Sequence, residues 1–160
     1  MASTLNNQPV KVLKLDVYPG HLVCQVQFAS TVERRTTPKL IKRVLKCFPN
    51  LPNHACVNEC ECANTFGAVI NETPLPHLLE HIIVDVQVQM QTETPKPHGF
   101  NAHEISPAFS NGTIVGTSEW LNEKSGIARI DVSFVDDLTA LAALKAAVDF
   151  LNITLTTSSF

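Results

Sequence analysis

Val10-Lys11-Val12-Leu13-Lys14-Leu15-Asp16-Val17-Tyr18 alternates apolar and polar residues almost strictly, and after Pro19-Gly20 the run Leu22-Val23-Cys24-Gln25-Val26-Gln27-Phe28-Ala29 does so again. Side chains of a strand point to opposite faces in turn, so a period of two marks a half-buried strand. Two such runs joined by a tight turn are expected to pair as an antiparallel hairpin. A hairpin with one apolar face needs a second layer to cover it.

The rest of the chain supplies that layer and enlarges the sheet. Thr37-Pro38 opens a helix in which Leu40, Ile41, Val44, Leu45 and Phe48 recur at helical spacing until Pro49, and this helix is expected to pack on the hairpin. Residues 49–72 read as a loop, long for a compact domain and therefore expected near a site. Thr73 is the expected cap and Pro74 the first turn of a second helix, carried by Leu75, Leu78, Leu79, Ile82, Ile83 and Val86 to about Gln91. A Pro-rich polar stretch at 94–99 ends it. Residues 112–120 and 127–135 read as two more strands. Asp136 or Asp137 then caps a last helix with Leu138, Leu141, Leu144, Val148 and Leu151 on its apolar face. The order ββααββα predicts an α+β fold, a two-layer sandwich of a mostly antiparallel sheet with helices on one face. A single domain over residues 1–155 is expected, with 156–160 a frayed tail.

A formal net charge of −3 and no basic stripe argue against nucleic acid as the main partner. Without a charged-then-apolar leader or an apolar run approaching 18 residues, a cytoplasmic protein with no membrane partner is expected, and self-association into a homo-oligomer stays open. The five cysteines, Cys24, Cys47, Cys56, Cys60 and Cys62, are an odd number and are expected to be reduced thiols. Cys56, Cys60 and Cys62 beside His54 offer a soft-metal alternative, but they lack the paired C-x-x-C spacing of structural zinc sites.

The chemistry lies in His77-Leu78-Leu79-Glu80-His81 on the second helix. Residues three and four apart stack on one helix face, so two imidazoles and a carboxylate fall together. His77 and His81 are candidate zinc ligands and Glu80 a candidate general base, the H-x-x-E-H arrangement of the inverse zincins. A plain solvated face with two histidines is the competing reading. The third ligand must come from another element. Glu119, near the end of a strand, is the leading candidate; His98, His103 and Glu104 compete, and His54 is a candidate outer or substrate-contacting residue. Manganese and iron also accept such ligands.

Phe48-Pro49-Asn50-Leu51, then His54-Ala55-Cys56, then the helix from Pro76-His77 through Glu80-His81 to Gln87 together resemble the amino-terminal domain of cyanophycin synthetase. That domain carries a Pro-Gly-Leu turn, a His-x-Cys segment and a His-x-x-Glu-His helix in this order. The strand pair holding Glu119 and the final Ala-rich helix are similar to its closing part. The resemblance implies a domain that holds cyanophycin, an arginine-decorated polyaspartate, and in some members a metallopeptidase-like site that cuts it. At 160 residues a stand-alone copy is expected, without the ATP-grasp and ligase domains. Carried over by position, His77 and His81 match the metal ligands, Glu80 the base and Glu119 the third ligand. For an arginine-rich peptide or polymer, Glu59, Glu61 and Glu93 are the carboxylates that could pair with guanidinium groups.

Three functions are thus open: a zinc-dependent hydrolase acting on an amide or peptide bond, a non-catalytic module binding cyanophycin or another cationic polymer with a vestigial metal site, and a structural or partner-binding domain.

Overall fold

The computed structural model describes residues 7–56, 64–93 and 114–157. The hairpin forms where its alternation places it, as β1 (Val10–Tyr18) and β2 (His21–Phe28), paired antiparallel from Val10 opposite Phe28 to Tyr18 opposite His21. The turn needs Gly20, whose φ of 83° lies in the left-handed region. β3 (Gly116–Asn122) and β4 (Ile127–Ser133) form the second antiparallel pair. β4 also pairs antiparallel with β2, with Cys24 opposite Ile130, so the four strands lie in the order β1-β2-β4-β3. Leu22, Cys24, Val26 and Phe28 of β2 and Ala128, Ile130 and Val132 of β4 are fully buried, and all lie on the face turned to the helices.

Among the described residues three helices cover that face: α1 (Pro38–Cys47), α2 (Leu75–Glu93) and α3 (Asp137–Thr156). The fold is α+β with the order ββααββα. Thr37 caps α1 by accepting from Leu40 N, and Asp136 caps α3 by accepting from Thr139 N. α2 lies on β3 and β4, and α3 on β1 and β2. Asn152 of α3 both accepts from Val10 N at 2.8 Å and donates to Val10 O at 3.1 Å, which ties α3 to the edge strand.

Beyond small shifts in the ends of β3 and β4, the packing of the helices departs from the sequence reading. The main partner of α1 is α3 rather than the hairpin, through Phe48 edge-on to Phe150 and Arg43 donating to Thr154 O. The buried face of α3 is also rotated: Leu138 is exposed, while Ala140, Ala143 and Ala147 are buried with Leu144, Val148 and Leu151. Small residues let two helices approach closely, and α3 lies directly against α2. By length and composition α3 could cross a membrane, yet this apolar face is packed inside the domain as in a core helix.

Two turns with left-handed glycines make a controlled comparison. An added Cβ at Gly20 meets nothing within 4 Å, whereas at Gly126 (φ 71°) it would lie 2.2 Å from the carbonyl oxygen of Phe28. Gly20→Ala is expected to cost about 1–2 kcal/mol from backbone conformation alone. Gly126→Ala should cost clearly more, because main chain must move; urea unfolding of both variants measures the difference, and equal losses would remove the steric argument.

Candidate metal centre

α2 places the motif. Leu75, Leu78, Leu79, Ile82 and Ile83 are all fully buried, so the helix is held on several sides, and Glu80, His81 and Asp85 are carried inside with only 5% exposure each. Buried polar groups must find partners inside the protein. The segment before α2 supplies most of them. Residues 49–72, expected as structureless loop, contain two short 3₁₀ turns, Leu51–Asn53 and Phe66–Ala68. The chain is pinched between them: Cys56 N donates to Asn64 O at 2.9 Å and Phe66 N to His54 O at 2.8 Å. This pinch holds His54, Cys56 and Phe66 against α2.

Thr73 does something other than the capping expected of it. The carbonyl of Pro74 accepts the first helical bonds, from His77 N and Leu78 N, so Pro74 occupies the cap position. The Thr73 hydroxyl lies 2.8 Å from His77 Nδ1. Its amide donates to Thr36 Oγ1, which fixes the turn to the chain entering α1.

The two motif histidines converge. His77 Nε2 and His81 Nε2 are 3.2 Å apart, and Cys56 Sγ lies 3.3 Å from His77 Nε2. The three donor atoms fall within 4.8 Å of one another. Ligands of a tetrahedral zinc with bonds of 2.0–2.3 Å stand about 3.3–3.8 Å apart. The separations of 3.2 and 3.3 Å come close to this spacing, and all three donor atoms lie within reach of one divalent metal. His54 completes the cluster, with Nδ1 3.1 Å from His81 Nδ1 and Nε2 2.9 Å from Asp85 Oδ1. Phe66 stacks on His81 at 3.9 Å between ring centroids and meets His77 edge-on at 5.0 Å.

Glu80 lies beside this cluster, turned toward β3. Ser118 hydrogen-bonds its carboxylate. The carboxyl lies so close over Gly116 that a Cβ there would come within 2.6 Å of Glu80 Oε1. The absence of a side chain at 116 makes the room. Burial pushes Glu80 up to about 7, against the opposing pull of Ser118 and His54. Burial, followed by His77 and His54, holds His81 down to about 3, and burial also lowers His77. Burial and the nearby Glu80 raise the Cys56 thiol. Neutral imidazoles are the form that binds metal.

Glu119 is not brought to the histidines. On β3, Ser118 and Trp120 face α2 and Glu119 faces the other way, 59% exposed and 3.6 Å from Arg129. The period of two that makes a strand sets this parity. Cys56 offers the third donor atom near the two histidines instead. The sequence marked Cys56 as a soft-metal candidate beside His54 and marked Thr73 only as a helix cap, and Phe66 carried no pattern that marked it. Glu59, Glu61, Cys60, Cys62, His98, His103 and Glu104, and the side chain of Glu93, lie outside the described residues. Cys24 and Cys47 are free thiols.

A groove of about 1380 Å³ opens beside the cluster. His77, Glu80 and His81 line it together with Asn50, Asn53 and Asn64 and the consecutive residues Ile114 to Trp120. A family model for the cyanophycin synthase-like N-terminal domain matches residues 21–103, just over half of the chain and the part that contains every member of the cluster. A comparison with curated proteins returns no match.

The raised Glu80 gives a signed pH effect. Its unfolded value is near 4.5 and its folded value about 7, so the folded protein holds a proton that the unfolded chain releases between these limits. Its contribution to stability is greatest below pH 4.5 and is lost as the pH rises to 7. In chelator-treated protein, Glu80→Gln, which cannot ionise, should gain on wild type by up to roughly 3 kcal/mol across this window. Urea unfolding at a series of pH values measures it; a constant difference would mean that Glu80 ionises like a surface carboxylate.

Proposed function

Because the chain belongs to the family of cyanophycin synthase-like N-terminal domains, we propose that it is a metal-dependent hydrolase-like domain acting on an amide bond of a chain laid in the groove. The observation that carries this reading is the convergence of Cys56 Sγ, His77 Nε2 and His81 Nε2 in an open groove, with a buried carboxyl alongside. Three protein donors with one side open are the pattern of a catalytic rather than a structural zinc site. Zinc in such a site supplies Lewis acidity, which makes water acidic near neutral pH and polarises a carbonyl group.

The chain's own residues supply the rest. Glu80, poised near pH 7, can accept a proton at its carboxylate and return it to a leaving amine. The Ser118 hydrogen bond keeps the carboxyl in the groove. β3 is an outer strand that pairs only with β4 among the described residues, and an extended chain lying along it meets main-chain donors and acceptors. The groove's asparagines add neutral hydrogen-bonding groups.

The substrate on this reading is cyanophycin or a related arginine-bearing chain. The described groove carboxylates are already engaged: Asp85 with His54, Glu80 with Ser118, and Glu119 with Arg129. Pairing with guanidinium groups would then fall to Glu59, Glu61 and Glu93.

Plasma mass spectrometry of untagged protein tests the metal. About one zinc per chain is expected in wild type and in Glu119→Gln, and little in His81→Ala or Cys56→Ser. Release of soluble fragments from cyanophycin tests the chemistry: Glu80→Gln should keep its metal and lose at least about 100-fold in rate. Undiminished cleavage by that variant would remove Glu80 as the base. Bound metal with no cleavage by wild type would leave a metal-containing binding module.

A further inference from the structure

The hydrogen bonds behind His81 fix which of its nitrogens is bare. Asp85 Oδ1 can only accept, so the ring nitrogen facing it at 2.9 Å, His54 Nε2, carries the proton. We take His54 in its neutral form, in which the ring has one proton and Nδ1 is left as an acceptor. His81 Nδ1, 3.1 Å away, must then be the donor. His81 Nε2 is left without a proton, and it is the atom turned toward His77 Nε2 and close to Cys56 Sγ. Asp85 is itself held, because Gln89 donates to its other oxygen at 2.5 Å. His77 has a shorter version of the same arrangement, with its Nδ1 against the Thr73 hydroxyl.

We infer that Asp85 and His54 are positioning residues which, through two consecutive hydrogen bonds, set the tautomer and orientation of His81 so that Nε2 faces the metal position. This rests on the metal-centre reading above and extends it to residues that touch neither metal nor substrate. Direction is the essential feature. Replacing Asp85 by the isosteric Asn keeps the shape and reverses the run: with Gln89 donating to the amide oxygen, the amide nitrogen points at His54 Nε2. His54 must then carry its proton on Nδ1, and His81 is forced to carry its own on Nε2, where the metal would bind.

Cobalt(II) titration of the full chain, followed through the thiolate-to-cobalt band, reads the consequence. Asp85→Asn and His54→Leu should each weaken cobalt binding by about 10–100-fold. His54→Asn, whose amide oxygen can still accept from His81 Nδ1, should recover part of that loss. Circular dichroism melting of the metal-free proteins separates this from a loss of fold. A second readout needs no metal: nitrogen–proton correlation spectra of the imidazoles should find His81 protonated on Nδ1 in wild type and on Nε2 in Asp85→Asn. Wild-type affinity in a folded Asp85→Asn, or the same His81 tautomer in both proteins, would overturn the inference while leaving the metal centre standing. A wild type that binds no cobalt would overturn both.

Discussion

The burial of α2 is the constraint on which the rest of the structure depends. Its apolar residues alone would make an ordinary core helix, but the same helix carries Glu80, His81 and Asp85 into positions almost closed to water. A buried polar group without a partner costs on the order of 1–3 kcal/mol, and a buried unpaired charge far more. Each side chain must therefore be met by a group on another element. β3 meets Glu80 through Ser118, and the pinched segment before α2 meets Asp85 and His81 through His54. The position of that segment and the glycine at 116 are consequences of what α2 buries.

Electrostatics decides the state of the cluster. His81 lies within hydrogen-bonding distance of two other imidazoles, His54 and His77, and in a site shielded from water the three cannot all be protonated; the low value of His81 expresses burial first and that repulsion second. The same burial favours the neutral form of Glu80. The result is a site rich in lone pairs and poor in fixed charge, which is the condition that suits a cation. Among the described residues, Asp85 is the one carboxylate directly bonded to an imidazole of the cluster, and it lies behind His54 rather than among the three donor atoms.

What could be read from the sequence follows the distinction between periodic and aperiodic residues. The strands at 10–18 and 22–29, the caps Thr37 and Asp136, and the shared face of His77, Glu80 and His81 rest on local periodicity, and β1, β2, α1, α2 and α3 follow it within a residue or two. Glu119 failed for a reason of parity. A strand of seven residues offers both faces, and sequence alone did not say whether Ser118 or Glu119 looks toward α2. Leu138 failed for a similar reason: the alanines of α3, weaker as hydrophobic signals, are the residues that allow close contact with α2. Cys56, Phe66 and Thr73 belong to turns, where position depends on long-range hydrogen bonds that leave no period in the chain.

The pinch between residues 54–56 and 64–66 also bears on how the site is assembled. Its two main-chain bonds hold His54 and Cys56 at fixed separation, and the fully buried Phe66 ring stacks on His81. The third donor is thus brought to the first two by core packing rather than by a mobile arm closing on the ligand. A preassembled site loses little conformational entropy when it binds, which favours affinity. The same packing links the donors to the hydrophobic core, since Phe66, Leu51 and Leu78 belong to one buried cluster with the sheet residues Phe28 and Ile130. The geometry of the Cys56, His77 and His81 cluster is therefore coupled to fold stability: a change that loosens Phe66 must separate Cys56 from His77 even though it removes none of the three side chains.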